Sequence, residues 1–205
     1  YHHHSEKIYA PLLLKQLSEL IDSQTVITTD VGQHQMWAAQ HMHFDHPQNF
    51  ITSSGLGTMG FGLPAAIGAQ LARSKDCVIC ISGDGSFMMN IQELATIKRK
   101  QLPIKIILID NQRLGMVRQW QQLFFAERYS ETNLSDNPDF LVLASAFGIS
   151  GQSITSQSQV ASALDAMLRS PGAYLLHVRI DEMENVWPLV PPGAANQTML
   201  ETISN

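Results

Sequence analysis

The chain reads as an α/β protein: a three-layer domain with a mostly parallel sheet of about five or six strands flanked by helices. Three observations predict this. Short apolar runs alternate along the chain with segments whose apolar residues recur every three to four positions, the order expected of strand–helix units. The runs at 77–82 and 104–109 are almost continuously apolar, as strands covered on both faces are. A length of 205 residues, 44% hydrophobic, is enough for one domain with a sizeable core.

Each element follows in order. Residues 8–21 place Ile8, Leu12, Leu13, Leu17, Leu20 and Ile21 on one side of a helix. Residues 25–31 form a strand, Gly32 a turn, and 35–42 a helix. Residues 49–53 are a short strand, followed by a glycine-rich turn and a helix over 61–73. The strand at 77–82 ends in Gly83-Asp84-Gly85. A helix over 86–100 then presents Phe87, Ile91, Leu94 and Ile97, and Leu102-Pro103 stops it. The strand at 104–109 ends in Asp110-Asn111, and 115–125 forms a helix with Met116 and Trp120 on one face. A helix at 139–147, an edge strand at 148–154, a helix at 157–168 and a strand at 174–180 read as scaffold. Domain organisation is expected to be 1–7 as a tag remnant or linker, 8–180 as the folded domain, and 181–205 as a C-terminal tail.

Bulk properties exclude several classes of function. A net charge of −5 argues against a nucleic-acid or membrane-surface partner. No apolar run approaches the roughly 20 residues that span a bilayer, and no signal peptide is visible, so a cytoplasmic location is expected. Cys77 and Cys80 form a C-x-x-C, but inside a strand rather than at a helix start, so they read as buried thiols. His41, His43, Asp45 and His46 lack a standard zinc spacing and read as a solvated loop.

The chemistry concentrates at strand ends. Parallel strands joined by a helix put their C-termini on one edge of the sheet, where open α/β sheets bind ligands. Asp84 and Asn111 are 27 positions apart, yet this topology brings them together. Both offer hard oxygen donors, which suits Mg²⁺ or Ca²⁺ completed by a ligand's phosphates and water. Residues 31–35 supply a strand, a glycine turn and a helix N-terminus, whose free N–H groups suit a diphosphate. Residues 55–60 (GLGTMG) match G-x-G-x-x-G, so a nicotinamide site must be weighed. The acidic residue that motif requires is misplaced, since Asp76 precedes the next strand and Asp84 belongs to the Gly-Asp-Gly turn.

Gly-Asp-Gly followed at that spacing by a strand-terminal Asn is similar to the signature of thiamine diphosphate enzymes. That signature usually ends Asn-Asn; here Asp110 stands first and Asn111, the ligand, is kept. The stretch Gln112-Arg113-Leu114-Gly115-Met116-Val117-Arg118-Gln119-Trp120 narrows the likeness to the catalytic subunits of acetohydroxyacid (acetolactate) synthases, especially the enterobacterial valine-insensitive form. The resemblance covers 8 to the end, and corresponds to the C-terminal third of a full subunit.

The resemblance implies Mg²⁺ held by Asp84, Asn111 and the backbone carbonyl of Arg113. It implies thiamine diphosphate bound by Val31, Gly32, Gln33, His34, Gly57, Met59, Gly83, Asp84, Gly85, Ser86, Asn111, Gly115, Met116 and Val117. Gly57 would offer its carbonyl to the aminopyrimidine, and Met59 would force the cofactor's bent shape. Trp120, with Met116, would line the 2-ketoacid site, and the tail would lie over the active-site mouth. The implied reaction decarboxylates pyruvate and condenses it with pyruvate or 2-ketobutyrate, in branched-chain amino-acid synthesis. No catalytic residue is expected in this chain, because the activating Glu and the FAD-binding region would lie on other domains. A homodimer or larger assembly, with a small regulatory subunit, is implied. The alternatives are another thiamine diphosphate-dependent decarboxylase or oxidase, or a non-catalytic binding or assembly module.

Overall fold

Six parallel strands in the order β2-β1-β3-β4-β6-β5 form the centre of the molecule. The structure is a computed structural model and describes residues 7–202. Nearly all of the expected tag or linker segment therefore lies outside the described residues. In chain order the elements are α1 (Ala10–Leu20), β1 (Val26–Thr29), α2 (Gln33–His41), β2 (Phe50–Thr52), α3 (Gly62–Ala72), β3 (Val78–Gly83), α4 (Asp84–Met89), α5 (Leu94–Lys100), β4 (Lys105–Asp110), α6 (Gly115–Phe124), α7 (Phe140–Ala146), β5 (Ser150–Ile154), α8 (Val160–Arg169) and β6 (Tyr174–Arg179).

The expected three layers are present, because alternate residues of each strand face opposite sides. Ile79, Ile81, Ile107 and Ile109 pack against Leu13, Leu14 and Leu17 of α1, Trp37 of α2, and Leu164 and Met167 of α8. Val78, Cys80, Ile106 and Leu108 pack against Leu63 and Ile67 of α3, Phe87 of α4, Leu94 and Ile97 of α5, and Phe140 of α7. β3 and β4 are buried along their whole length, which is why they carry no polar alternation. Cys80 is fully buried in β3 and Cys77 half-buried just before it; burial pushes both thiols up, away from the reactive thiolate.

Local chemistry fixes the ends. Pro11 opens α1 where a helical N–H is dispensable. The Asp139 carboxylate accepts the Leu141 and Val142 N–H groups and starts α7. Ser156 and Gln159 form a capping box ahead of α8. Gln101 ends α5 in the left-handed conformation.

One expectation needs correction. The single helix over 86–100 is two helices, α4 and α5, separated by a 3-10 turn at Ile91–Glu93. The break falls at Asn90, whose side-chain amide donates to the Gly60 carbonyl (2.6 Å), a bond to a distant loop that overrides local helical periodicity. The helix also starts earlier, at Asp84, so the acidic residue lies in its first turn. The segment after β6 contributes to the core. Val186 and Leu189 are buried, Val186 within the same core as α1 and α8.

The strand order sets the position of the site. From β1 the chain passes outward to β2, then returns to β3 and proceeds the other way to β4, crosses to β5 at the far edge and comes back to β6 between them. The crevice at the C-terminal ends of β1 and β3 is thus a topological switch point, where open α/β sheets hold their ligands.

Candidate functional site

A cleft of about 240 Å³ occupies that crevice. The end of β1 delivers Val31, Gly32, Gln33 and His34; the end of β3 delivers Gly83, Asp84, Gly85 and Ser86. The loop after β4 and the start of α6 add Asn111, Arg113, Gly115, Met116 and Val117. Gly57 and Met59 reach in from the loop after β2. All fourteen residues that the sequence suggests for the cofactor therefore surround one cleft, together with Arg113. Trp120 lies outside it, in a second and larger hollow of about 660 Å³ shared with Met116, Val117, Gln121, Phe125 and Arg128. Met116 and Val117 belong to both, so the two hollows adjoin.

Asp84 is almost fully buried, and its Oδ2 accepts from Asn137 Nδ2 (2.8 Å). Burial and the charge of Asp110 push its carboxyl up to about 8, against backbone N–H groups of Gly85 and of Asp84 itself, which favour the anion. It forms no ion pair with Lys, Arg or His among the described residues. Asn111 is held at both ends: Nδ2 donates to Gln33 Oε1 (3.0 Å) and Oδ1 accepts from the Arg113 N–H (3.0 Å). The Arg113 side chain turns away and pairs with Glu182 (2.6 Å).

Gln33 is the hub of this wall. Its Nε2 donates to Gln119 Oε1 (3.0 Å) and to the Glu184 carbonyl (2.8 Å). Gln119 also takes the Val186 N–H (2.9 Å) and donates to the Val186 carbonyl (3.0 Å), while Arg118 donates to the Glu184 carbonyl and to Asn185 Oδ1 (2.7 Å each). These bonds fasten residues 184–186 behind the cleft. Close packing explains two glycines. A Cβ at Gly83 would lie 2.8 Å from His34 Nδ1, and one at Gly115 would lie 2.0 Å from Gln33 Oε1.

His34 is buried, and its Nε2 has no hydrogen-bond partner among the described residues. Burial lowers its pKa to about 4 against the nearby Asp30, which raises it, so the ring is neutral at pH 7. Ser86 Oγ donates to the Val31 carbonyl (2.9 Å), tying the β1 and β3 loops together. At Asp110, burial works to raise the pKa, but the His177 hydrogen bond and the Arg179 charge hold it below the usual carboxylate range.

Sequence reasoning missed Asn137, read only as the start of a helix, and Ser153, His177 and Arg179, read as scaffold. The single available signal was the Asn137-Pro138 pair, a loop residue of hydrogen-bonding type near a helix start. Gln35, Met36, Trp37, Ile109 and Leu114 also line the cleft. Elsewhere, His43 pairs with Asp45 (3.1 Å) on the surface. Among the described residues no group of three or more His, Cys, Asp or Glu side chains is placed to hold a metal ion without other ligands. Among the described residues no helix is long and apolar enough to cross a membrane.

The family described as "Thiamine pyrophosphate enzyme, C-terminal TPP binding domain" matches residues 30–178, a stretch that runs from the end of β1 through β6. The chain belongs to this family. As a thiamine pyrophosphate enzyme domain it is similar to the acetolactate synthase isozyme 2 large subunit of Escherichia coli (strain K12), 74% identical over 204 residues, which is 100% of this chain and 37% of that protein. It is 49% identical over 203 residues to the acetolactate synthase large subunit of Pyropia yezoensis, covering 93% of this chain and 34% of the relative. The acetolactate synthase isozyme 1 large subunit of E. coli (strain K12) is 47% identical over 188 residues, 92% of this chain and 34% of the relative. The chain thus spans about a third of the length of these relatives.

Proposed function

We propose that the domain binds thiamine diphosphate through Mg²⁺ at the β1/β3 crevice and serves an acetohydroxyacid synthase. The observation that carries this is the juxtaposition of Asp84 and Asn111 at one cleft. Asp84 is a buried carboxylate whose charged form has no cationic side chain beside it, and burial raises its pKa to about 8. A divalent cation is what such a group lacks. Three protein oxygens, counting the Arg113 carbonyl, leave the rest of the coordination shell to phosphates and water, as Mg²⁺ sites commonly do. The first turn of α2 offers N–H groups that the helix itself cannot satisfy, facing the same cleft.

Bound there, thiamine diphosphate supplies the electron sink for decarboxylating a 2-ketoacid and passing the two-carbon unit to a second 2-ketoacid. The chain's own residues do the positioning. Asp84, Asn111 and the Arg113 carbonyl hold the metal; Gln33 keeps Asn111 aimed; His34 stays neutral beside the diphosphate. Met59 and Gly57 set the cofactor's shape, and Trp120 with Met116 forms the wall for the 2-ketoacid. Glu93 does not line the cleft, its Oε2 taking the Thr96 hydroxyl (3.1 Å), which agrees with the activating Glu that the resemblance places on another domain. The same reading assigns pyruvate and 2-ketobutyrate as substrates, FAD to another domain, a homodimer or larger assembly with a small regulatory subunit, a cytoplasmic setting, and a place in branched-chain amino-acid synthesis.

The test is acetolactate formation from pyruvate, Mg²⁺ and thiamine diphosphate. The chain by itself is expected to be inactive and to gain activity when joined with a polypeptide covering the other two thirds of the relatives. Robust turnover by the chain alone would show that the catalyst is not shared, and no turnover in the joined form would remove the synthase assignment.

A further inference from the structure

We propose that His177 and Arg179 of β6, with Ser153 of β5 behind His177, are positioning residues that set the metal-binding loop through Asp110. The inference rests on the metal site proposed above. The loop from Asp110 to Arg113 must turn sharply to present Asn111 and the Arg113 carbonyl, and Gln112 adopts a left-handed conformation there (φ +54°). Such a backbone persists in a non-glycine residue only when its surroundings impose it. Here the two side chains preceding it impose it. Asp110 Oδ1 accepts the Gln112 N–H (2.9 Å), and Asn111 Oδ1 accepts the Arg113 N–H (3.0 Å).

Asp110 is fixed in turn from the neighbouring strand. Its Oδ2 accepts from His177 Nε2 (2.8 Å) and from Arg179 Nη1 (3.0 Å), while Arg179 is its register partner between β4 and β6. His177 and Arg179 are two apart, so both side chains lie on the face that Asp110 shares. The chain of contacts continues one strand further. Ser153 is the register partner of His177, and Ser153 Oγ lies 3.1 Å from His177 Nδ1. A hydroxyl donating to Nδ1 leaves the proton on Nε2, the tautomer needed to donate to Asp110. The Phe140 ring, 5.5 Å from the imidazole, restricts its tilt. Serine, imidazole, carboxylate and loop N–H thus form one continuous line from the β5 edge to the loop.

None of these side chains lines the cofactor cleft, so none acts as a ligand. Their effect reaches the metal through Asp110, which sets the loop and whose charge also bears on the neighbouring Asp84 carboxylate. Asparagine at 110 could not serve both donors in the same way, because only one of its side-chain atoms accepts. The mild departure from the Asn-Asn ending is therefore matched by Arg179 on the adjacent strand.

Mn²⁺ is the probe, titrated against the full chain with saturating thiamine diphosphate, with free Mn²⁺ followed by electron paramagnetic resonance. His177→Leu and Arg179→Met should each weaken Mn²⁺ binding by ~10–100-fold, the usual range for a lost partner behind a ligand. His177→Gln, whose amide can still donate to Asp110, should recover most of the affinity; a generic packing role would not discriminate Leu from Gln in this way. Thermal midpoints identify any variant that fails to fold, and Arg179→Met, at a half-exposed position, is read if His177→Leu does not. Wild-type affinity in a folded His177→Leu or Arg179→Met variant would overturn the proposal, as would His177→Gln binding as weakly as His177→Leu. A wild-type chain that takes up no Mn²⁺ would instead overturn the metal site on which the proposal stands.

Discussion

The two walls of the active edge are built on opposite principles. The wall formed by the β3 and β4 ends, the start of α2 and the inner face of α6 is buried and polar, with Gln33, Asp84, Asn111, Arg118 and Gln119 each less than 10% exposed and Gln33 bonded to both Asn111 and Gln119. The outer face of α6 is apolar and open: Val117, Trp120, Phe124 and Phe125 are 40–51% exposed. One helix carries both faces. The comparison teaches which chemistry the chain finishes by itself. A polar wall whose side chains are already held by hydrogen bonds needs little reorganisation to bind an ion. An apolar surface of this size marks a place that something else covers.

The largest expected effect comes from breaking the polar wall at its centre. Asp84→Ala should lower Mg²⁺-dependent affinity for thiamine diphosphate by about 100-fold or more, beyond what partners behind a ligand contribute. Asn111→Ala should act alike, and circular dichroism should show both variants folded. Gly115→Ala comes next. Its Cβ would overlap Gln33 Oε1 and crowd Asn111 Nδ2, so the same affinity should fall by ~10–100-fold with no ligand removed. Calorimetric titration checks all three.

The open wall should respond differently. Trp120→Leu should leave cofactor affinity unchanged and shift the ratio of products from 2-ketobutyrate and pyruvate, by about tenfold, since one methylene in a pocket is worth roughly 10–200-fold. A competition assay on the complete enzyme reads this directly. Equal ratios would make the outer face packing surface only.

Much of the architecture was legible in the sequence, and the reason is local. Continuous apolar runs such as 104–109 and the spacing of Leu13, Leu17 and Val160, Leu164 encode burial within a few residues. The Gly83–Gly85 turn and Asn111 were legible because both sit where a strand ends, and topology alone joins strand ends. What stayed hidden depends on partners far along the chain. The break at Asn90 needs Gly60, the hold on Asp84 needs Asn137, and the hold on Asp110 needs His177 and Arg179. Gln33 was legible as a cleft residue, but its bonds to Gln119 and Glu184 join positions with no periodic relation. Backbone segments such as 184–186, fastened by glutamine amides, leave no apolar pattern to read.

Stability gives a smaller contrast between the walls. Gln119→Ala strands the Val186 N–H and a Gln33 donor in a buried setting, and should cost about 2–3 kcal/mol in urea unfolding. Val117→Ala, on the open face of the same helix, should cost under about 1 kcal/mol.

Stability should also depend on pH. His34 has a folded pKa near 4, below its ordinary value near 6.5, so between these values the unfolded chain binds the extra proton. Its contribution is complete above pH 6.5 and is lost as pH falls toward 4, amounting to about 3 kcal/mol at most. Asp84, raised to about 8, has the opposite sign: its contribution is lost as pH rises through the range from 4 to 8. The two partly cancel in the native chain. His34→Gln should remove the His34 trend, so the variant's stability relative to the native chain should improve steadily as pH drops from 6.5 to 5.

The central claim is that the polar wall binds a diphosphate only through a divalent cation. Thiamine diphosphate titrated into the native chain, with Mg²⁺ and with a chelator in its place, tests it most directly. The account predicts measurable binding with Mg²⁺ and at least about tenfold weaker binding without it, as expected when a metal bridges carboxylate and phosphate oxygens. Equal affinity under the two conditions would contradict it.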